Sequence, residues 1–162
     1  MSDYKHTDLV EWLLELDGGF HFEGGARIED IERVEAALGV TFPPSYREFL
    51  LHLGSGGVAG AEVCGILRGD PLRQAGDLVW SATADAREVG LADRFVVIQQ
   101  LSDRGYYCLD LERQAEGECA VVLVEATPER AVSVEAPSFA HWFETYLRTH
   151  LELALEERGE VG

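Results

Sequence analysis

The residues Gly39-Val40-Thr41-Phe42-Pro43-Pro44 punctuate this chain more firmly than any others. Before them, Ile28, Ile31, Val34 and Leu38 recur at helical spacing. Gly39 then follows the last apolar position, where a glycine most cheaply takes the left-handed conformation that ends a helix. After them, proline is accepted in a first helical turn but not deeper, so Pro43-Pro44 opens a new helix. Its apolar stripe is Tyr46, Phe49, Leu50 and Leu53, Ser45 and Glu48 have capping-box spacing, and Gly54 closes it. Two short amphipathic helices therefore meet at a corner, and their apolar faces need a sheet to pack on.

The remaining chain supplies that sheet. Residues 62–67, 95–101, 106–111 and 119–125 are short runs rich in Val, Ile, Leu or Tyr with polar breaks between them, and 131–134 reads as a fifth, edge strand. Residues 7–16 carry Leu9, Val10, Leu13 and Leu16 at helical spacing, ended by Gly18-Gly19, with a loop over 20–27. Ser55-Gly56-Gly57 reads as a turn. A mid-chain helix is expected over 77–89 with Asp77 as N-cap. A last helix starts after Pro137 with Ser138 as N-cap and carries Phe139, Trp142, Phe143, Tyr146, Leu147 and Leu151. The expected fold class is α+β: N-terminal helices, a central twisted, mainly antiparallel sheet of about five strands, a mid-chain helix and a closing C-terminal helix. One domain is expected over 1–162, with 1–27 as an extra helix and loop, 28–150 as the core, and 152–162 as an acidic tail that frays.

Charge narrows the partners. Thirteen basic residues face thirty acidic ones, a formal net charge of −17. Phosphate polymers and anionic membranes are repelled by such a field, which excludes nucleic acid and membrane surfaces as partners. A basic protein is attracted, although acidity also serves plain solubility. Cys64, Cys108 and Cys119 are widely spaced and lie in apolar stretches, so neither a disulfide framework nor a zinc site is signalled. With Asp8, Glu11 and Glu15 in the first helix there is no uncharged signal-peptide core. A reducing cytoplasm is the expected compartment.

Catalytic patterns are missing. Gly54-Ser55-Gly56-Gly57-Val58-Ala59 formally matches G-x-G-x-x-A, but a helix precedes it and a strand follows, the reverse of a dinucleotide fingerprint. Lys5 is the only lysine and follows no glycine-rich loop, so no P-loop exists. His6, His21, His52, His141 and His150 form no i, i+4 pair, and no metal or cofactor is expected. Glu29, Glu32 and Glu35, like Asp8, Glu11 and Glu15, line the solvated face of a helix. A nucleophilic Cys108 with His52 or His141 would make a cysteine-dependent hydrolase. A thiol inside an apolar strand has its pKa raised, which blunts it.

Taken in order, Ile28-x-x-Ile31-x-x-Val34-Glu35-x-x-Leu38-Gly39-Val40-x-Phe42-Pro43-x-x-Tyr46-Arg47-x-Phe49-Leu50, then Gly56-Gly57, resembles the start of the SUKH superfamily (the SMI/KNR family). Phe42 stands where leucine is commoner. Residues 77–91 resemble the family's mid-chain helix. Asp103-Arg104-Gly105-Tyr106-Tyr107-Cys108-Leu109-Asp110 resembles its G-D-Y-Y-C-L-D strand, with the acidic residue and glycine in altered order. Ser138, Phe139 and the residues up to Leu147 resemble its closing helix. The resemblance implies a non-catalytic protein-binding domain, an immunity protein that neutralises a cognate toxin such as a basic nuclease or nucleic-acid deaminase. One exposed sheet face and its loops would bind that partner, through Asp70, Asp77, Asp103, Tyr106 and Asp110. The alternative implied is a regulatory scaffold of the kind that governs cell-wall synthesis.

Overall fold

A computed structural model describes residues 5–16, 19–58, 61–157 and 159. In chain order the elements are α1 (Thr7–Glu15), β1 (Phe20–Phe22), α2 (Ile28–Leu38), α3 (Pro44–His52), β2 (Gly56–Val58) and β3 (Ala61–Val63). They continue with α4 (Val79–Glu88), β4 (Phe95–Leu101), β5 (Gly105–Ala115), β6 (Glu118–Glu125), β7 (Val132–Ala136) and α5 (Phe139–Glu157). The class is α+β, as expected. Among the described residues, no helix is long and apolar enough to cross a membrane.

The corner between the two central helices forms where glycine and proline require it. Gly39 takes φ +71° just past α2, and Pro43 and Pro44 occupy the N-cap and first helical positions of α3. The Ser45–Glu48 capping box is not made. Ser45 sits inside the first turn, and both its N–H and its hydroxyl donate to Glu118 at the start of β6 (3.0 and 2.7 Å). An expected local cap is thus a long-range tie between helix and sheet. Asp30 caps α2 instead: one carboxylate oxygen accepts from the Arg27 N–H (3.2 Å) and from the Gly69 N–H (3.1 Å).

The expected single sheet of five strands is two antiparallel sheets, one of three strands in the order β1-β2-β3 and one of four in the order β4-β5-β6-β7. Residues 20–27 were expected as a loop and 55–57 as a turn; Phe20–Phe22 and Gly56–Val58 are instead paired strands, with His21 opposite Gly57. The run 62–67 is a strand only at Ala61–Val63. The sheets meet at a bulge. Ile98 drops out of the β4–β5 register, and its carbonyl accepts the Cys64 N–H (2.7 Å) beyond the end of β3. Gln99 donates its side-chain amide to Ala61 O (2.7 Å) across the same junction.

The start of α4 also departs from expectation. Leu78, not Asp77, is its N-cap, with no side-chain bond. Asp77 serves through its carbonyl, which accepts from Ser55 Oγ and Gly65 N (both 3.1 Å). Ser138 does cap α5, its hydroxyl accepting the His141 N–H (3.2 Å). That helix runs on to Glu157, through half of the stretch read as a fraying tail, and Leu155 packs on the core.

The sheet middle is buried on both sides. Cys108, Leu109 and Asp110 are consecutive and all fully buried, and neighbours in a strand point to opposite faces. The open part is the edge strand β7, where Val132 and Val134 are 41% and 54% exposed. Glu125 N–H donates to Ala131 O (2.9 Å), so by the antiparallel alternation Ser133 faces β6 while Val132 and Val134 turn their backbone groups outward.

Tyr146 on α5 secures the small sheet. Its hydroxyl donates to Ala61 O (2.7 Å) and accepts the Val58 N–H (3.0 Å), and it lies so close over Gly57 that a Cβ there would overlap it. Gly57 also takes φ +137°, which L side chains rarely adopt. Tyr146→Phe is expected to lower stability by about 1–3 kcal/mol, since it leaves two backbone groups without that partner. Gly57→Ala is expected to cost at least as much through overlap and strain. Urea midpoints of the two variants check both values, and wild-type midpoints would show that the hydroxyl does not hold the sheet.

Candidate protein-binding surface

Asp30 and Asp110 are the only buried carboxylates among the described residues. Nearly all of the acidic excess therefore lies on the surface.

Three of the five residues expected to touch a partner lie along one connected stretch. Tyr106 is half-buried on β5, directly opposite Gln100 on β4. Gln100 donates its amide to Gly76 O (2.9 Å), one residue before Asp77. Asp103 is exposed in the tight turn between those strands, closed by Arg104 N–H to Leu101 O (2.7 Å). Asp77 lines a depression of about 160 Å³ together with Glu23, Glu62, His21 and the backbone of Gly56 and Gly57. Neither Glu23 nor Glu62 was a candidate from sequence. They come from two separate segments, and the pairing of β1, β2 and β3 brings them together.

Asp70 is exposed in a different setting, the turn closed by its own N–H to Leu67 O (3.0 Å) beside the Asp30–Gly69 bond. Asp110 departs from its expected role as a contact. It is fully buried, and its oxygens accept from both Arg94 nitrogens (2.9 Å each), from Arg113 Nε (3.1 Å) and from the Glu112 N–H (3.1 Å). Its neighbours, not its carboxylate, meet solvent.

A separate open groove of about 300 Å³ runs between α5 and the sheet, lined in part by Tyr107, Trp142 and Tyr146. Trp142 stacks on Tyr146 at 5.6 Å between ring centroids and meets Tyr107 at 5.5 Å. From sequence, Trp142 and Tyr146 lie among the apolar residues of the last helix, and Tyr107 shares one face of a strand with Leu109 and Leu111. Nothing in one chain's pattern tells a buried ring from one whose edge lines a groove.

The cysteines are poorly placed for nucleophilic work. All three are buried. Burial, aided by Asp77 and Glu62, pushes the Cys64 thiol up to about 12, and burial with Glu118 and Asp110 pushes Cys119 up to about 11. Cys108 is raised too, by burial first. His52 bonds Glu48 one turn back, and His141 bonds Ser138. Among the described residues, no group of three or more His, Cys, Asp or Glu is placed to hold a metal ion.

A model of the SUKH_5 family, described as SMI1-KNR4 cell-wall, matches residues 7–148. The chain belongs to this family. The match takes in every element from α1 to most of α5. The SUKH_5 chain is also similar in fold to a crystal structure of a protein from Pseudomonas syringae pv. tomato, with a TM-score of 0.62 and 21% identity over 85% of this chain and 95% of that one. At that identity the likeness concerns the fold alone.

Two measurements follow from the site. Asp110→Asn is expected to destabilise the SUKH_5 domain by about 2–4 kcal/mol, because two arginines lose a buried charged acceptor. The exposed Asp103→Asn should shift it by less than about 0.5 kcal/mol; equal urea midpoints for the two would contradict the burial of Asp110. Iodoacetamide near neutral pH should label the native cysteines at least about tenfold more slowly than in denaturant, and fast labelling of Cys108 in the native protein would revive a catalytic thiol.

Proposed function

We propose that this chain is a non-catalytic binding domain that neutralises a basic protein, in the manner of an immunity protein against a toxin. The observation that carries this is the placement of charge. A net −17 is spread over a surface where all but two of the described carboxylates are accessible, and Asp77, Glu62 and Glu23 face one depression. Such a surface competes for a cleft built to hold phosphates, with carboxylates in the phosphate positions. Asp70, Asp77, Asp103 and Tyr106 are the contacts we assign, Asp110 acting behind them by fixing Arg94 and Arg113. The buried, high-pKa thiols favour binding over catalysis. Three unpaired cysteines suit the reducing cytoplasm, where the producer of a toxin needs protection.

The family description, with its cell-wall term, favours a second reading as a regulatory scaffold. The two separate on one experiment. The chain is mixed with any toxin domain encoded beside it, and affinity is measured at low and high salt. The immunity reading expects tight binding that weakens as salt screens the charges. It also expects a loss of about tenfold or more when Asp70, Asp77 and Asp103 are together changed to Lys, given typical costs of opposed charges at interfaces. Unchanged affinity in the triple variant would remove these residues from the interface, and no toxin binding at all would favour the scaffold.

A further inference from the structure

The groove beside Tyr146 has a chemical bias that the charge map alone does not show. Its walls are the rings of Tyr107, Trp142 and Tyr146, and the Thr145 and Thr149 hydroxyls beside them can accept as well as donate. Glu135 on β7 is exposed and brings a carboxylate, which takes a long hydrogen bond from Ser133 (3.3 Å). Gln99 spends an amide hydrogen on Ala61 O, which leaves its carbonyl oxygen as an acceptor. His150 Nδ1 lies 2.8 Å from the carbonyl of Tyr146. A carbonyl accepts, so Nδ1 is the donor in that bond. The Tyr146 proton is committed to Ala61 O. No lysine or arginine is among the described residues lining the groove.

An aromatic wall rimmed by acceptors and a carboxylate suits one kind of occupant, a flat cation rich in donors. Carboxylates and phosphates find no cation there, and a purely apolar side chain would leave the acceptors without partners. Guanidinium fits better than ammonium, because it is planar, stacks on indole and phenol faces, and offers five donors in a fixed fork. The volume is at the lower end of small-molecule sites, roughly 300–1,000 Å³, which suits a side chain.

We propose that this groove receives an arginine side chain of the partner protein, packed against the rings of Tyr107, Trp142 and Tyr146 and paired with Glu135. The inference deepens the proposed binding of a basic partner and rests on it for the source of the arginine. It also adds a second contact area, lined by residues other than those of the acidic depression.

The test uses a blocked tripeptide, acetyl-Gly-Arg-Gly-amide, and its citrulline twin, which has nearly the same shape but no charge. Binding is followed by NMR at the assigned indole N–H of Trp142, with the signals of Trp12 and Trp80 as internal controls. The arginine peptide should shift the Trp142 signal saturably, with millimolar affinity. Citrulline and the Glu135→Gln variant should each weaken binding about fivefold to tenfold, in line with the loss of one cation–π or ion-pair contact. Glu135 is exposed, so the variant should keep the wild-type melting temperature, a check that folding is not the cause. Equal binding of the two peptides, or undiminished arginine binding in Glu135→Gln, would overturn the assignment. A silent Trp142 signal with both peptides would overturn it too. None of these failures touches the basic-partner reading, because the triple reversal at Asp70, Asp77 and Asp103 lies outside the groove and is scored with the whole partner.

Discussion

The structure depends on a knot of rings where α3 crosses α5. Tyr46, Phe49, Phe139 and Phe143 are all buried to within 1%. They meet edge to face, Tyr46 on Phe139 at 5.0 Å and Phe49 on Phe143 at 5.1 Å, while Phe139 and Phe143 stack within α5 at 5.5 Å. Each ring removed from water is worth about 1.5–3 kcal/mol, and each well-placed ring pair about 0.5–1.5 kcal/mol more. Other elements attach here. Phe22 of β1 leans on Phe49 and Phe143, and His6 before α1 meets Phe143 edge-on at 5.1 Å. The Tyr46 hydroxyl reaches out of the knot to Cys64 O (2.7 Å), which places the end of β3 where the Ile98 bulge can meet it.

This hierarchy explains what was legible in the amino-acid order. Helices α2 and α3 were readable because Gly39 and the Pro43-Pro44 pair mark their ends by backbone chemistry, which needs no tertiary context. Strands β4, β5 and β6 were readable because both of their faces are buried and their composition shows it. The small sheet was not. Gly56 and Gly57 carry no side chain from which a period could be read, and their strand exists because His21, Phe22 and the Tyr146 hydroxyl approach where a Cβ would stand. Ser45 misled for a related reason: its spacing to Glu48 fits a cap, but Glu118, 73 residues on, offers two stronger acceptors.

The candidate surface was half legible. Acidity gave its sign, and Asp77, Asp103 and Tyr106 lie along one connected stretch. Asp110 looked like one more solvated carboxylate in an alternating strand; only the fold shows Arg94 and Arg113 closing over it. The groove left no trace in the order of residues, because Glu135, Tyr107 and Trp142 come from three different elements. Tyr146 touches both areas: its hydroxyl lies against Gly57, which lines the acidic depression, and its ring lines the aromatic groove.

The β7 edge gives the charge a second task. A strand with outward N–H and C=O groups beside two exposed valines is a template for a further strand, and proteins commonly guard such edges with lysine, proline or a bulge placed on the strand itself. Here β7 carries no lysine or proline, and its bulge at Glu135, between the Val134–Val122 and Ala136–Val121 pairs, lies past both exposed valines. Two copies approaching edge to edge bring −17 against −17, a repulsion that acts before the valines touch. That repulsion belongs to the whole molecule, so a cationic partner of the kind proposed would weaken it by neutralising the surface. Resistance to self-association would then rest on the same carboxylates that the proposed partner engages.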